Sequence, residues 1–111
     1  MLDNYFVYIL TNPQKTVLYV GVTNDLERRI LEHYNNRGKS STFAGRFYCY
    51  KLLHFERYSD ATTAISREKE LKGWSRLKKE SLIKKDNHQF NFLNSQVIEV
   101  YPKQDVLLRC A

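Results

Sequence analysis

The 111-residue sequence contains no apolar run that approaches the roughly 20 residues needed to span a bilayer, so we expect no membrane-spanning segment. Its first residues lack the positive start and the apolar centre of a signal peptide, which leaves the cytoplasm as the expected compartment. The two cysteines, Cys49 and Cys110, are isolated and lack the paired spacing of a disulfide framework or a zinc site. We therefore expect both thiols to be free.

Several common signatures of enzymes are also missing. There is no glycine-rich loop that would cradle a phosphate, no pair of carboxylates on one predicted strand and no Ser/His/Asp arrangement at a recognisable spacing. Internal repeats and linkers between domains are absent as well. Because 42% of the residues are apolar, the chain has enough hydrophobic side chains for one core, which excludes a disordered or low-complexity sequence.

Positive charge is concentrated in the middle of the chain. The formal net charge is +6, and residues 25–85 hold 15 Lys and Arg against 8 Asp and Glu, a net of +7. The remaining residues hold 3 against 4, a net of −1. Lysine and arginine release condensed counterions from a phosphate backbone, so a basic, aromatic-rich domain favours a nucleic-acid partner over a merely solvated basic surface.

Two apolar segments near the N-terminus predict a β-hairpin. Residues 5–10 are typical of a strand buried on both faces, and residues 17–22 of a second strand that follows a short turn. With the turn centred just after Pro13, Tyr8 is predicted to lie directly opposite Tyr19 on one face of the hairpin.

The next segment predicts an amphipathic helix. It runs from Asn24 to about residue 36, with Asn24 as the N-cap and Glu27 completing a capping box. Arg29 and His33 fall on its apolar stripe, although charge normally belongs on the opposite face of such a helix. Their placement therefore asks for a functional explanation.

The middle of the chain predicts a loop, a strand and a second helix. The loop at residues 37–47 is polar and carries three positive charges, and the strand covers residues 48–57. Ser59 or Asp60 caps the helix, whose apolar face is interrupted by Glu68.

The complete pattern predicts a compact α/β domain in ββαβαα order, with helices flanking a small mixed three-stranded sheet. The last helix of this order covers residues 77–84 and follows a bend at Gly73. Residues 1–86 would form the domain. Residues 87–111 would be a C-terminal extension, either packed on the same domain or partly flexible, in which residues 96–101 form a short fourth strand or an edge segment.

Five polar side chains intrude on predicted apolar faces, namely Tyr8, Tyr19, Arg29, His33 and Glu68. Each has a structural interpretation when it is taken alone. A strand tyrosine packs its ring and exposes its hydroxyl, and a long charged side chain extends past its apolar neighbours to water. It is their combination and order along the chain that matches a known pattern.

The tripeptides at residues 6–8 (FVY) and 19–21 (YVG), separated by ten residues, resemble the two-part signature that names the GIY-YIG nucleases. Arg29 stands ten positions after the second motif tyrosine, where the family carries its essential arginine. Residues 64–76 resemble the glutamate-bearing helix of the short branch, which is similar to the nuclease domain of the excinuclease C subunit, and Glu68 matches the metal-binding glutamate. The resemblance covers roughly residues 4 to 86.

Two positions depart from the wider family pattern. Phe6 stands where the motif name has glycine, and Val22 stands where many members carry lysine. Neither position has to take part in the chemistry. The asparagine that often closes the family's site has three candidates, which are Asn87, Asn91 and Asn94.

The resemblance implies a role for each of the five polar residues. Tyr19, helped or replaced by Tyr8, would activate the attacking water, and Arg29 would bind the non-bridging phosphate oxygens. Glu68 would hold one divalent metal ion, Mg²⁺ or Mn²⁺, whose other ligands are water. His33 would add positive charge, orient Tyr19 or relay its proton.

The resemblance also implies a DNA partner and an endonuclease that acts in repair or recombination. Separately, we expect a monomer or weak oligomer. Seven cations would track the DNA backbone without reading its sequence. They are Arg28, Lys39, Arg46, Lys72, Arg76, Lys78 and Lys79.

Two other functions stay open on the sequence. A catalytically inactive nucleic-acid-binding module of the same fold would use the basic surface for docking alone, but it gives no reason for a glutamate near phosphate. A protein-interaction module would bind no nucleic acid even at low salt.

Overall fold

The computed structural model describes residues 4–98. Within this range the element order is ββααβααα, which is the predicted order with two short helices added. The elements are β1 (Tyr5–Thr11), β2 (Leu18–Thr23), α1 (Leu26–Asn35), α2 (Phe43–Arg46), β3 (Lys51–Tyr58), α3 (Ala61–Lys72), α4 (Arg76–Asp86) and α5 (Asn94–Val97).

The three strands form one sheet in the order β2-β1-β3. The predicted α/β architecture with a three-stranded sheet is confirmed, but both strand pairings are antiparallel, so the sheet is not mixed. Strand β1 is central, and its residues 7–11 are all buried. Its unbroken apolar run is therefore explained by neighbours on both edges and both faces.

The register of the β1–β2 hairpin differs from the prediction. Tyr8 lies opposite Gly21, and Tyr19 lies opposite Leu10, so the pairing is shifted by two residues. The cause is a longer connection, in which the Asn12 side chain accepts hydrogen bonds from the backbone N–H groups of residues 16 and 17, at 2.8 and 3.2 Å. A shift of two residues keeps both tyrosines on the same face of the sheet.

Helices cover both faces of the sheet. Helix α1 packs on the face that carries Tyr8, through Leu26 and Ile30, and α3 packs on the opposite face through Ala64 and Leu71. Full burial of a leucine or isoleucine contributes about 1.5–3 kcal/mol. Because alternate residues of β1 belong to the two cores, β1 holds both layers in place.

The sequence predicted an N-cap for α1 and an N-cap for α3, and only the second prediction agrees with the structure. The predicted capping box from Asn24 is wrong, because Asp25 is the N-cap of α1 and its carboxylate accepts from the Arg28 backbone N–H at 3.1 Å. Asp60 caps α3, as predicted. Asn24 and Asp25 both have side chains that can cap a helix, so the choice between them depends on where β2 ends and the helical backbone begins.

A short helix, α2, lies inside the segment that was predicted to be a polar loop. Thr42 caps it by accepting from the Gly45 N–H at 3.0 Å, and its own residues Ala44 and Gly45 are buried. One helical turn has no periodic apolar stripe, so the sequence carried no signal for it.

The predicted fourth strand at residues 96–101 is wrong for its described part, because residues 94–97 form α5 and residues 99–101 lie outside the described range. Instead, Asn94 takes the place of a strand along the outer edge of β3. Its side chain accepts from the Leu52 N–H at 2.9 Å and donates to the Tyr50 carbonyl at 2.9 Å. The Leu93 N–H adds a bond to the Leu52 carbonyl at 2.8 Å.

A bulge in β3 is satisfied in a similar way. Ile9 pairs with His54 but Leu10 pairs with Leu52, so Leu53 has no partner on β1. The side chain of Asn87 donates to the Leu53 carbonyl at 3.0 Å. A side-chain amide thus replaces the hydrogen bond that the bulge removes from the ladder.

Two further expectations agree with the structure. Gly73 ends α3 and separates it from α4. Cys49 is a buried free thiol, and burial raises its pKa to about 11, while Cys110 lies outside the described residues. Among residues 4–98, no helix has the length and apolar character needed to cross a membrane.

We predict that Asn94→Ala lowers the free energy of unfolding by about 1–3 kcal/mol, because it removes the acceptor of the buried Leu52 N–H and the hydrogen bond to the Tyr50 carbonyl. Urea denaturation measures the change. Asn91→Ala is the matched control, since Asn91 is exposed and enters the neighbouring network through its backbone groups. Equal stability of the two variants would contradict the role given to Asn94.

Candidate active site

Tyr8 occupies the centre of the site because Gly21 lets its ring cross the neighbouring strand. Tyr8 is 1% exposed, and a Cβ added to Gly21 would lie 2.4 Å from the Tyr8 hydroxyl oxygen. No side chain fits in that space. The glycine in the second motif is therefore required by the close approach of the phenol, as glycine inside a strand often is.

The Tyr8 hydroxyl joins the sheet to α1. It shares a 2.9 Å hydrogen bond with Nε2 of His33. The Arg29 side chain of the same helix lies close enough to affect the pKa of the phenol. Tyr8 therefore connects the sheet to two side chains of α1.

Burial sets the protonation states of this pair. It raises the pKa of Tyr8 to about 12, against the opposing effect of the Arg29 hydrogen bond. Burial also lowers the pKa of His33 to about 4, and the nearby Arg29 charge acts in the same direction. Both groups are therefore neutral at pH 7, and the positive charge of the cluster comes from Arg29 rather than from His33.

Tyr19 completes a cluster of three aromatic rings. Its ring centroid lies 6.4 Å from that of Tyr8 and 5.5 Å from that of His33. Unlike those two residues, Tyr19 is only partly buried, so it is the ring of the cluster in contact with solvent. On its other side, the Phe43 ring of α2 stacks at 6.3 Å with an interplanar angle of 21°.

Glu68 approaches the cluster from α3. Its negative charge raises the pKa of Tyr8, which places the two side chains within electrostatic range of each other. The Glu68 side chain is 14% exposed and pairs with the Lys72 ammonium at 2.8 Å. This i, i+4 ion pair keeps a lysine beside the carboxylate.

The preceding residue fixes the rotation of α3. The Arg67 guanidinium binds both carboxylate oxygens of Glu56 on β3, at 2.9 and 3.1 Å. Although burial of Glu56 opposes ionisation, hydrogen bonds from His54, Arg67 and Tyr58 hold its pKa well below the usual range. A charged, bidentate pair of this kind is directional, so it sets where the next side chain, Glu68, points.

The donor set suits a hydrated, oxygen-seeking cation. Within residues 4–98, no group of three or more His, Cys, Asp or Glu side chains is arranged to chelate a metal. Glu68 offers a carboxylate, while His33 uses its Nε2 for Tyr8. A single carboxylate with water in the other positions is how Mg²⁺ is often bound, so the residues fit that ion better than zinc.

The predicted cations of α1 and the α2 loop lie on the surface. Arg28 pairs with Asp25 at 3.6 Å and with Glu32 at 3.5 Å, and it is 55% exposed. Lys39 and Arg46 are exposed on the segment that surrounds α2. All three are therefore accessible to a large anionic partner.

The predicted cations of α4 are in different surroundings. Arg76 donates to the carbonyls of Thr16 at 2.7 Å and Lys15 at 3.1 Å, so it also fastens α4 to the β1–β2 turn. The Lys78 ammonium lies 4.3 Å from the ring of the chain's tryptophan, and Lys79 is partly buried.

Two of the candidate asparagines are engaged elsewhere. The side chains of Asn87 and Asn94 bond to the backbone of β3, as described above for the bulge and the edge. Asn91 is exposed and holds the Asn87 amide through its own backbone. Their hydrogen bonds make Asn87 and Asn94 parts of the scaffold.

Sequence reasoning missed two residues that shape the site. Gly21 belongs to the second motif, but the space that it leaves for the Tyr8 ring depends on the hairpin register. Phe43 was assigned to a polar loop, although it stacks on Tyr19. The signal that the sequence offered for Phe43 was a phenylalanine placed among positive charges and small residues.

Comparison with known proteins identifies the class to which the chain belongs. Residues 4–81 match the GIY-YIG catalytic domain, and the chain therefore belongs to the GIY-YIG family of nucleases. Within the family, it resembles small proteins named UPF0213.

The match covers most of the length of each of these relatives. A UPF0213 protein of Haloquadratum walsbyi is 38% identical over 82 residues, which cover 74% of this chain and 89% of the relative. One from Staphylococcus saprophyticus is 34% identical over 82 residues, which cover 74% and 96%. The solution NMR structure of a UPF0213 protein from Bacillus halodurans has 30% identity and a TM-score of 0.51, covering 78% of this chain and 89% of that one.

We predict that Gly21→Ala displaces the Tyr8 ring and lowers the free energy of unfolding by about 1–3 kcal/mol, the usual cost of overpacking. Urea denaturation measures the loss. Gly73→Ala is the matched control, because its Cβ meets nothing closer than 3.5 Å. If Gly21→Ala is as stable as Gly73→Ala, the phenol does not depend on this clearance.

We predict that stability falls as the pH drops from about 6.5 towards about 4, because His33 takes up a proton more readily in the unfolded chain. The contribution of neutral His33 is fully present above pH 6.5, and its loss amounts to about 3 kcal/mol at most. Urea denaturation across this range, beside His33→Gln, isolates the effect. A wild-type protein with the same pH dependence as His33→Gln would rule it out.

Proposed function

We propose that the protein is an endonuclease that hydrolyses phosphodiester bonds in DNA with the help of one divalent metal ion. The observation that supports this proposal is the convergence of Tyr8, Tyr19, Arg29 and His33 on one cluster, with the Glu68 carboxylate in electrostatic range. Membership of the GIY-YIG family supports a nuclease. The site residues, the metal and the DNA substrate are parts of the proposal.

Arg29 is the residue assigned to the phosphate. It is partly exposed and pairs with Glu32 at 2.9 Å, and its hydrogen bonds to Glu32 and Tyr8 raise its pKa although burial opposes this. Its charge is therefore permanent. A guanidinium presents a planar fork of donors to the non-bridging oxygens, where negative charge accumulates in the transition state.

Tyr19 is assigned as the general base, and its phenolate form is the one that accepts the proton of the attacking water. Tyr8 is poorly suited to that role, because its pKa is about 12 and its hydroxyl is engaged in a hydrogen bond with His33. Tyr19 is the partly exposed phenol of the pair. Tyr8 and His33 then fix the Arg29 side chain and the Tyr19 ring in position.

Glu68 is assigned as the protein ligand of Mg²⁺ or Mn²⁺. The carboxylate would hold the ion, which would supply Lewis-acid stabilisation of the phosphate and of the departing 3′ oxygen. Lys72, which pairs with Glu68, then becomes available for a phosphate contact. A rigid α3, held by the Glu56–Arg67 pair, keeps the carboxylate in one orientation.

The basic surface is assigned to docking of the DNA backbone. Arg28, Lys39 and Arg46 are exposed, and such contacts position a nucleic acid without reading its bases. A cytoplasmic enzyme of DNA repair or recombination, acting as a monomer or weak oligomer, is consistent with this arrangement.

We predict that Tyr19→Phe, Arg29→Ala and Glu68→Ala each reduce cleavage at least about 100-fold while the chain stays folded, because each removes a group that acts in the transition state. The assay uses supercoiled plasmid and branched and single-stranded oligonucleotides, with Mg²⁺ or Mn²⁺, and circular dichroism verifies folding. Glu70→Ala is the matched control, because Glu70 is an exposed carboxylate on the same helix.

The outcomes separate the possible functions. Full activity in folded Glu68→Ala would overturn the metal assignment. If neither wild type nor variants cut any substrate, yet all shift the oligonucleotides in a salt-dependent way, the protein is a binding module of the same fold.

A further inference from the structure

An exposed aromatic surface borders Tyr19. Phe43 and Phe47 of α2 and its C-cap are 50% and 40% exposed, and their ring centroids lie 4.7 Å apart. Phe43 also stacks on Tyr19 at 6.3 Å. Tyr19, Phe43 and Phe47 thus form a continuous surface, here called the aromatic platform. None of the catalytic assignments above uses either phenylalanine.

The backbone beneath the platform is firmly fixed. The Gly45 carbonyl accepts from the Gly38 N–H at 2.8 Å, and the Ala44 carbonyl accepts from the Cys49 N–H at 2.8 Å. Gly45 is packed so closely that a Cβ would lie 2.5 Å from the Lys39 carbonyl oxygen. The phenyl rings therefore project from a constrained turn, and their exposure does not result from a loose loop.

The exposure of both rings calls for a partner. Burying a phenylalanine is favourable, so a pair of adjacent rings held in solvent indicates a binding surface. Residues 37–47 contain no Asp or Glu, and the cations nearest in sequence, Lys39 and Arg46, are exposed. Flat apolar faces framed by positive charge match a nucleobase with its attached phosphates, as on the stacking surfaces of single-strand-binding proteins.

The position beside Tyr19 restricts which base would bind. A nucleotide stacked on Phe43 would lie next to the phosphate that Arg29 is assigned to bind and that the water activated by Tyr19 is assigned to attack. In an uninterrupted duplex, both faces of every base are covered by neighbouring base pairs. Only an unpaired, unstacked base offers a free face to the platform.

We propose that the aromatic platform binds an unpaired base adjacent to the cleaved phosphodiester, so that the enzyme prefers DNA with single-stranded nucleotides at the cut over continuous duplex. This inference rests on the proposed function for the cleavage step. The binding step stands on the platform alone.

The test uses an oligonucleotide that carries the fluorescent base 2-aminopurine in an unpaired segment, with a chelator present to prevent cutting. Wild-type protein is expected to quench the fluorescence by stacking. Phe43→Ala is expected to abolish the quenching and raise Kd about 5- to 150-fold, and Phe47→Ala to weaken both. Phe43→Trp restores the stacking surface and is expected to restore quenching.

Leu77→Ala is the matched control, since Leu77 is an exposed apolar residue on α4, outside the platform, and its loss should change neither value. Quenching and Kd in Phe43→Ala equal to those of wild type would overturn the proposal. So would an equal loss in Leu77→Ala, because it would reflect general surface hydrophobicity.

A cleavage assay distinguishes this proposal from the proposed function. Phe43→Ala should bring the ratio of the cleavage rates on unpaired and continuous duplex substrates closer to one. Glu68→Ala should reduce both cleavage rates by the same factor. If the wild-type protein cuts no substrate but still quenches the fluorescence in a way that depends on Phe43, the proposed nuclease activity is refuted. The proposed binding of a base by the aromatic platform then stands.

Discussion

The close approach of Tyr8 to Gly21 is the contact on which the rest of the site depends. A phenol that is almost fully buried can cross β2 only where the opposing residue lacks a side chain. From that position its hydroxyl reaches His33 and Arg29 on α1, and its ring reaches Tyr19. The strand pairing, the helix and the aromatic cluster are therefore connected through a single side chain.

Burial also determines how charge is distributed in the site. Tyr8 and His33 are held neutral, so that the buried part of the cluster contributes hydrogen bonds without a net charge. The charged groups, Arg29 and Glu68, lie nearer the surface, each beside an opposite charge from its own helix. Before a phosphate binds, the neighbouring opposite charge offsets part of the free-energy cost of partly burying Arg29 or Glu68.

The sequence predicted the elements better than their connections. Apolar runs and helical stripes indicate the three strands and α1, α3 and α4, because hydrophobic periodicity is a local property. The hairpin register was not predictable, since it depends on hydrogen bonds made by the Asn12 side chain. Likewise, hydropathy did not reveal that Asn94 would replace a strand at the edge of β3.

Family resemblance and unexpected polarity on apolar faces predict the five candidate site residues. Their mutual arrangement was not predictable, because it requires the register that puts Tyr8 over Gly21. Phe43 was missed for a related reason. Its importance comes from contact with Tyr19, a residue far away in the sequence, and a single turn of helix leaves no repeating pattern to detect.

The asparagine-covered edge of β3 also affects how the protein behaves at high concentration. An open strand edge is a template on which another chain can add a strand, and successive additions lead to aggregates. Along β3, three hydrogen bonds from residues 93 and 94 already occupy the backbone groups of residues 50 and 52. A second molecule would have to break them before it could extend the sheet there, so growth from this side is blocked by two side-chain bonds and one backbone bond instead of a whole strand.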